Sequence, residues 1–274
     1  MPESHVSKSL ASASVAPASL ASASVAEFSR EVSSRLDAIT RWASGGGLAE
    51  AAGAVADAVA NGGVVQAFGT GHSEAFAMEI AGRAGGLIPT SKIALRDLVL
   101  HGTREVAALD ALEGSMLERE DGLARELFGL QAVDPRDIFI IASNSGVNAS
   151  VVGLAMLAKE HGHTVIAVTS LEHTNAVETK HPSGMRLSEI ADIVMDNKAP
   201  FGDTVLEISG GGGVGAVSSI TGAYIAQLLT IETVQCLVRA GKKPPIYISA
   251  NVPGGDEHNN ALVAHYAGRL RREA

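Results

Sequence analysis

Apolar residues along this chain fall into two alternating patterns, and the alternation predicts an architecture. From Ala26 to Trp42 they recur at helical spacing, and after Gly45, Gly46 and Gly47 a second helical stretch, "LAEAAGAVADAVANGG", runs to a glycine stop. The continuous apolar run "GVVQAFG" then reads as a buried strand. Beyond it the pattern predicts a helix from about Ser73, a strand in "KIALRDLVL", a helix through Glu105 to Leu130, a strand "DIFIIAS", a helix from Ala149 to His161 and a strand "TVIAVTS". Short strands near "ADIVMD" and "TVLEI", a long helix from about Gly215 to Arg239 and a terminal helix after Asn259 complete the expectation. Strands that are apolar throughout are buried on both faces, and where they alternate with helices they form a parallel sheet between helical layers. The expected fold class is therefore α/β, a three-layer α/β/α sandwich.

The start of the chain does not follow this pattern. "SLASASVA" occurs at Ser9 to Ala16 and again at Ser19 to Ala26, with almost nothing large enough to build a core. Residues 1–24 are expected to be a disordered low-complexity tail, and residues 25–274 a single domain with helices at its amino end. Serine interrupts every apolar run that a secretory signal would need, and the first arginine is Arg30, which argues against a transit peptide. The cytoplasm is the expected location. The net charge of −9 is spread over both signs without blocks, so there is no basic stripe to follow a nucleic acid backbone. Mean hydropathy is +0.19, yet the most apolar region, Ile220 to Val238, contains Thr221, Gln227, Glu232 and Gln235, and no bilayer-spanning helix is expected. The single cysteine, Cys236, excludes an internal disulfide and fits a packing role.

In parallel α/β sheets ligands bind beyond the carboxyl ends of the strands, so the loops there are the candidates. In "FGTGHSEAF" the spacing suggests a dinucleotide-binding turn, but Glu74 stands where the third glycine would cradle a diphosphate. Thr70 and Ser73, with His72 between glycine and helix, suit a smaller anion at a helix amino end. In "ASNSGVNAS", Ser143, Asn144, Ser145 and Asn148 offer hydroxyls and amides to a phosphate monoester without any lysine; the same residues are also ordinary helix caps and turn formers. In "SANVPGGDEHNN", Asp256, Glu257 and His258 are adjacent and cannot all face one ion, so no metal is expected, and Asp256 or Asn259 is the natural cap of the last helix. His161 and His163 read as exposed loop residues, and the run Gly210 to Gly213 reads either as an anion-wrapping loop or as a flexible turn. Glu79 and Arg83 lie four apart at the edge of a helical stripe of Phe76, Ala77, Ile80, Ala81 and Ala84, the spacing of a surface ion pair.

Taken together, "FGTGHS", "SNSGVN", "HPSGMRLSEIADIVMDN" and "SANVPGGDEHN" resemble, in order, the motifs of sugar isomerase (SIS) domain proteins, over Phe28 to Arg271. The resemblance is closest to a bacterial single-SIS subgroup related to phosphoheptose isomerase and N-acetylmuramic acid 6-phosphate etherase. It implies a five-stranded parallel sheet, a phosphorylated sugar or amino sugar as ligand, no cofactor, and a homodimer or homotetramer. It implies phosphate binding by Ser73, Ser143 and Ser145, with Thr70, Asn144, Asn148, Arg83 and Glu257 around the substrate. The subgroup's pattern of Ala-Glu-Glu after the His-Ser pair is here Ala77-Met78-Glu79, which makes Glu79 the candidate base, with His72 or His258 as the acid. Phosphoheptose isomerase relatives carry their glutamate one turn later, where this chain has Arg83. The chemistry implied is removal of the C2 proton of an amino-sugar 6-phosphate of the N-acetylglucosamine type and loss of the C3 hydroxyl. The alternatives are aldose–ketose isomerisation and a phosphosugar-binding regulator without catalysis.

Overall fold

The computed structural model describes residues 17–109, 117–120 and 122–271. The expectation for residues 1–16 lies outside the described residues, as does the middle of the helix expected over Glu105 to Leu130. Helix α1 runs Pro17–Trp42, so the backbone is helical eight residues before the tail was expected to end; proline suits a first helical position because it lacks the N–H that would go unpaired there.

Five strands form the main sheet: β1 (Val65–Gly69), β2 (Thr90–Ile93), β3 (Ile138–Ala142), β4 (Val165–Thr169) and β5 (Ile193–Asp196), in the order β2-β1-β3-β4-β5, all parallel. Every residue of β1 to β4 is buried, which is why β1, β3 and β4 read as apolar runs, whereas β2 buries the polar Thr90, Ser91 and Lys92. One face is covered by α2 (Ala49–Ala60), α3 (Glu74–Ile80) and the long α9 (Ser218–Arg239), around Val55, Phe76, Ile140, Ile225 and Leu229. The other is covered by α5 (Leu123–Gly129) and α6 (Ala149–Glu160), around Phe68, Leu127, Phe139 and Leu154. The exposed edge of β2 is closed by the end of the chain, where the Lys92 N–H donates to the Arg271 carbonyl at 2.9 Å and the Arg271 N–H to Ser91 Oγ at 3.0 Å. No helix among the described residues is long and apolar enough to cross a membrane.

Several expected elements end elsewhere. The run "KIALRDLVL" is a strand only to Ile93; Asp97 Oδ2 accepts the Ala94 N–H at 3.0 Å, and this turn opens a short helix α4 (Asp97–Leu100). The strand β6 (Thr204–Glu207) does not join the sheet but pairs antiparallel with β7 (Gly213–Ala216), and the glycine run forms the tip between them. Short helices α7 (Leu171–Ala176) and α8 (Leu187–Ile190) flank "HPSGMRL", and α10 covers Gly255–Val263, starting earlier than expected. Neither Asp256 nor Asn259 caps α10: its cap is Gly254 in a left-handed conformation, and Asn259 instead pairs with both backbone groups of Ile248. His163 is buried rather than exposed, its Nδ1 2.9 Å from the Asp137 carbonyl and its ring against Phe139.

Candidate functional site

The turn after β1 is built on two glycines with different tasks. A Cβ on Gly69 would lie 2.3 Å from the Ser73 carbonyl oxygen, so the start of α3 packs directly on the strand. Gly71 takes φ +55°, which lets the chain reverse through a single 3₁₀ turn, Gly71–Ser73, into the helix. Glu74, which stood where a diphosphate loop has glycine, turns its carboxylate away to β2. Its Oε1 accepts from Arg96 Nη2 at 2.6 Å and lies 3.4 Å from Lys92 Nζ, so two cations offset its charge beside the helix amino end.

The loop after β3 is tied down in the same manner. Ser143 is buried and its Oγ accepts the Gly146 N–H at 3.1 Å, closing the turn that leads into α6. The "HPSGMRL" segment holds this turn from outside: the Leu187 N–H donates to the Gly146 carbonyl at 2.8 Å and the Lys180 N–H to that of Val147 at 3.0 Å. Arg186 in turn donates to the carbonyls of Thr174 and Val177 at 2.7 and 2.6 Å.

Between these loops, at the carboxyl ends of β1, β3 and β4, lies a small cavity. His72, Ser73, Ser143 and Asn144 line it, as expected, and so do three residues that the sequence did not bring forward: Asn197, Ser218 and Ser219. The last two open α9, whose amino end is organised by Asp203: Oδ1 accepts the N–H groups of Val217 and Ser218 at 3.1 and 2.8 Å, and Oδ2 accepts from Ser218 Oγ at 2.6 Å. The amino ends of α3 and α9 and the turn opening α6 therefore converge on one cavity. Among the described residues its lining contains no Lys, Arg, Asp or Glu, and His72 is the one titratable side chain. Hydroxyls, amides and the positive ends of helices suit a phosphate group.

Other expected site residues are not brought to this cavity. Thr70 is buried beneath the first turn, where its carbonyl accepts the Ser73 N–H at 3.1 Å, and Ser145 is half-buried outside the lining. Asn148 Nδ2 donates to Glu118 Oε1 at 2.7 Å. Glu79 stands six residues beyond Ser73, about 9 Å along the helix at 1.5 Å per residue, with its carboxylate accepting from Gln227 Nε2 at 2.6 Å and paired with Arg83. α3 ends at Ile80, so Arg83 reaches Glu79 from the following loop, and Ala84 is exposed rather than part of the buried stripe. His258 Nε2 lies 2.9 Å from the Ile246 carbonyl, and Ile246 bridges to Leu87, which precedes β2; Glu257 is exposed on the same helix. The carboxy-terminal cluster thus sits at the amino edge of the sheet, opposite the cavity.

The sequence profile of the SIS domain matches residues 27–170. The chain belongs to the SIS domain family, and within it to the UPF0309 proteins. It is 37% identical over 224 residues to a UPF0309 protein of Geobacillus kaustophilus, covering 81% of this chain and 86% of that one. To another, of Halalkalibacterium halodurans, it is 39% identical over 213 residues, covering 77% and 85%. Among solved structures, a phosphoheptose isomerase from Francisella tularensis aligns with 77% of this chain and 98% of its own at 19% identity and a TM-score of 0.49.

Proposed function

We propose that the cavity holds the phosphate of a phosphorylated sugar and that the protein is an isomerase-type enzyme or lyase acting at C2 of that sugar. The observation that carries this reading is the convergence of two helix amino ends, through Ser73, Ser218 and Ser219, and of the Ser143 turn on a cavity whose one titratable side chain among the described residues is His72. A phosphate anchored by these groups leaves the sugar carbons beside His72, which suits proton transfer to or from an opened sugar. With a hydroxyl at C2, moving that proton to C1 gives a ketose. With an acetamido group at C2, the enolate is reprotonated or expels the C3 hydroxyl as water, so an amino-sugar 6-phosphate of the N-acetylglucosamine type would be dehydrated.

The test is incubation with N-acetylglucosamine 6-phosphate and with glucose 6-phosphate in deuterium oxide, followed by NMR and mass spectrometry. Exchange at C2 with loss of one water from the amino sugar supports elimination, and conversion of the aldose to its ketose supports isomerisation. His72→Gln should lower either rate by about 10²–10⁴, whereas Glu79→Gln should change it less than tenfold. The reverse order would return the base to Glu79. A second reading, binding without catalysis, is favoured by the engagement of Glu79 with Gln227 and Arg83 away from the cavity. Under it both sugars bind and come back unchanged and undeuterated. A homodimer or homotetramer is proposed from the exposed Ile220, Ile231 and Val238 along α9, and light scattering tests it.

A further inference from the structure

Asn144 lines the cavity with its side-chain amide held in one orientation, and the reason lies two hydrogen bonds away, at Ala199. The N–H of Ala199, a fully buried residue, donates to the side chain of Asn197 at 2.9 Å. A backbone N–H has no acceptor character, so the Asn197 atom that meets it is the oxygen. Asn197 is itself buried, and its Nδ2 therefore points the other way, donating to Asn144 Oδ1 at 3.0 Å. The backbone carbonyl of Asn144 is likewise engaged, accepting from the Ser170 N–H and from Thr169 Oγ1, both at 3.2 Å. With Oδ1 held by Asn197 and the backbone carbonyl by Ser170 and Thr169, Nδ2 is the side-chain atom of Asn144 left to donate to a ligand.

We infer that Asn197 is a positioning residue which, through this chain of amides, orients Asn144 so that Nδ2 is presented to the cavity as a donor and favours ligand oxygens that accept hydrogen bonds. Phosphoryl and carboxylate oxygens meet that requirement. A hydroxyl that must donate at the same point leaves its hydrogen facing the Asn144 amide hydrogens and is disfavoured. The inference rests on the reading of this cavity as the phosphate site and adds to it the residue that sets its polarity. Asn197 itself need not touch the ligand: its contribution passes through Asn144.

A double-mutant cycle read by calorimetric titration with inorganic phosphate and with glucose 6-phosphate tests this. Asn144→Ala should weaken both ligands about tenfold, the effect of losing a hydrogen bond to a charged group. Asn197→Leu, which keeps a similar volume and cannot donate, should weaken them by nearly as much, because the freed Asn144 amide then turns its oxygen toward the anion for part of the time. In the double variant the loss should be no greater than in Asn144→Ala alone. Losses that multiply to about a hundredfold would show that Asn197 acts by its own contact and overturn the relay, as would wild-type affinity in Asn197→Leu. Wild-type affinity in Asn144→Ala, or no binding of either ligand by the wild type, would overturn the phosphate-site reading and the relay together. Should Asn197→Leu fail to fold, Asn197→Ser, too short to reach Asn144, takes its place in the same cycle with the same expectation.

Discussion

Replacing Gly69 by alanine separates the two tasks of the first loop, since Gly69 is needed for close approach and not for an unusual φ. The added Cβ would stand 2.3 Å from the Ser73 carbonyl oxygen, 2.6 Å from its carbon and 3.0 Å from the Glu74 nitrogen. All three are backbone atoms of the turn that starts α3, so no side chain can rotate out of the way. Bringing the nearest contact to ordinary van der Waals distance moves the amino end of α3 by about 1 Å, an overpacking that costs about 1–3 kcal/mol. For a domain of this size that lowers Tm by about 2–10 °C. The effect on the site should be larger than the effect on stability. Ser73 and His72 both line the cavity, and a displacement near 1 Å at a reacting or binding group costs about a hundredfold in rate. Thermal unfolding with and without glucose 6-phosphate measures stability and binding, and turnover of the same variant measures the rate. A variant that melts within 1 °C of the wild type, measured to about that precision, and is stabilised by the ligand to the same extent would refute the reasoning, because the turn would then have room that the packing denies it.

Three further perturbations follow from the charged groups. Arg96→Gln leaves Glu74 with only Lys92 at 3.4 Å and should weaken sugar-phosphate binding several-fold in titration, while Glu74→Gln in the same chain should restore it; no restoration would separate Glu74 from the site. Asp137, whose side chain is fully buried, accepts from the Val64 and Asp134 N–H groups at 2.8 and 3.1 Å and from Gln66 at 3.0 Å, and pairs with Arg269. Asp137→Asn should therefore cost about 3–5 kcal/mol in urea unfolding, and a cost below about 1 kcal/mol would mean that water replaces these donors. For Asp192, burial pushes the carboxyl up, but hydrogen bonds from Lys159 and the Val165 N–H outweigh it and hold it below the usual carboxylate range. Its contribution is complete above the unfolded value of about 3.9 and is lost as pH falls through the lower folded one. Asp192→Asn should flatten the loss of stability in acid melts, and an unchanged slope would remove Asp192 from the acid response.

What could be read from the sequence depended on how many surfaces decide a residue's place. β1, β3 and β4 are buried on both faces, so their apolar runs carry the signal undiluted, and the strands appeared where expected. Helix ends depend on single hydrogen bonds. α3 stops because Ala81 is extended and Gly82 takes φ +84°, and nothing in the stripe of Phe76, Ala77 and Ile80 announces that. Ser143 was legible because it follows an apolar strand directly, and Ser73 because it stands at a helix start one short turn after another such strand. Asn197 gave the same signal, one residue after β5, inside a quoted motif whose interest lay elsewhere. Ser218 and Ser219 were hidden by the glycine run before them, which read as an anion-wrapping loop or a flexible turn, while the helix that followed supplied the lining.

The question raised by Glu74 is settled by where each turn of α3 points. Ser73 faces the cavity, and one residue later, about 100° around the helix, Glu74 faces β2, where Lys92 and Arg96 receive it. A third glycine at that position would leave two cations beside the helix end without their carboxylate, and a carboxylate without those cations would repel a phosphate. The loop can therefore dispense with the glycine spacing of a diphosphate turn, consistent with the single phosphate proposed for the cavity. The same geometry carries Glu79 to the far end of the helix, where Gln227 of α9 and Arg83 hold it. For Glu79 to act as base, a sugar anchored at Ser73 would have to extend the whole length of α3 and displace a 2.6 Å hydrogen bond from Gln227. His72 needs neither movement, since it already lines the cavity. The order of rates in His72→Gln and Glu79→Gln therefore tests the placement of the sugar along α3 as well as the identity of the base.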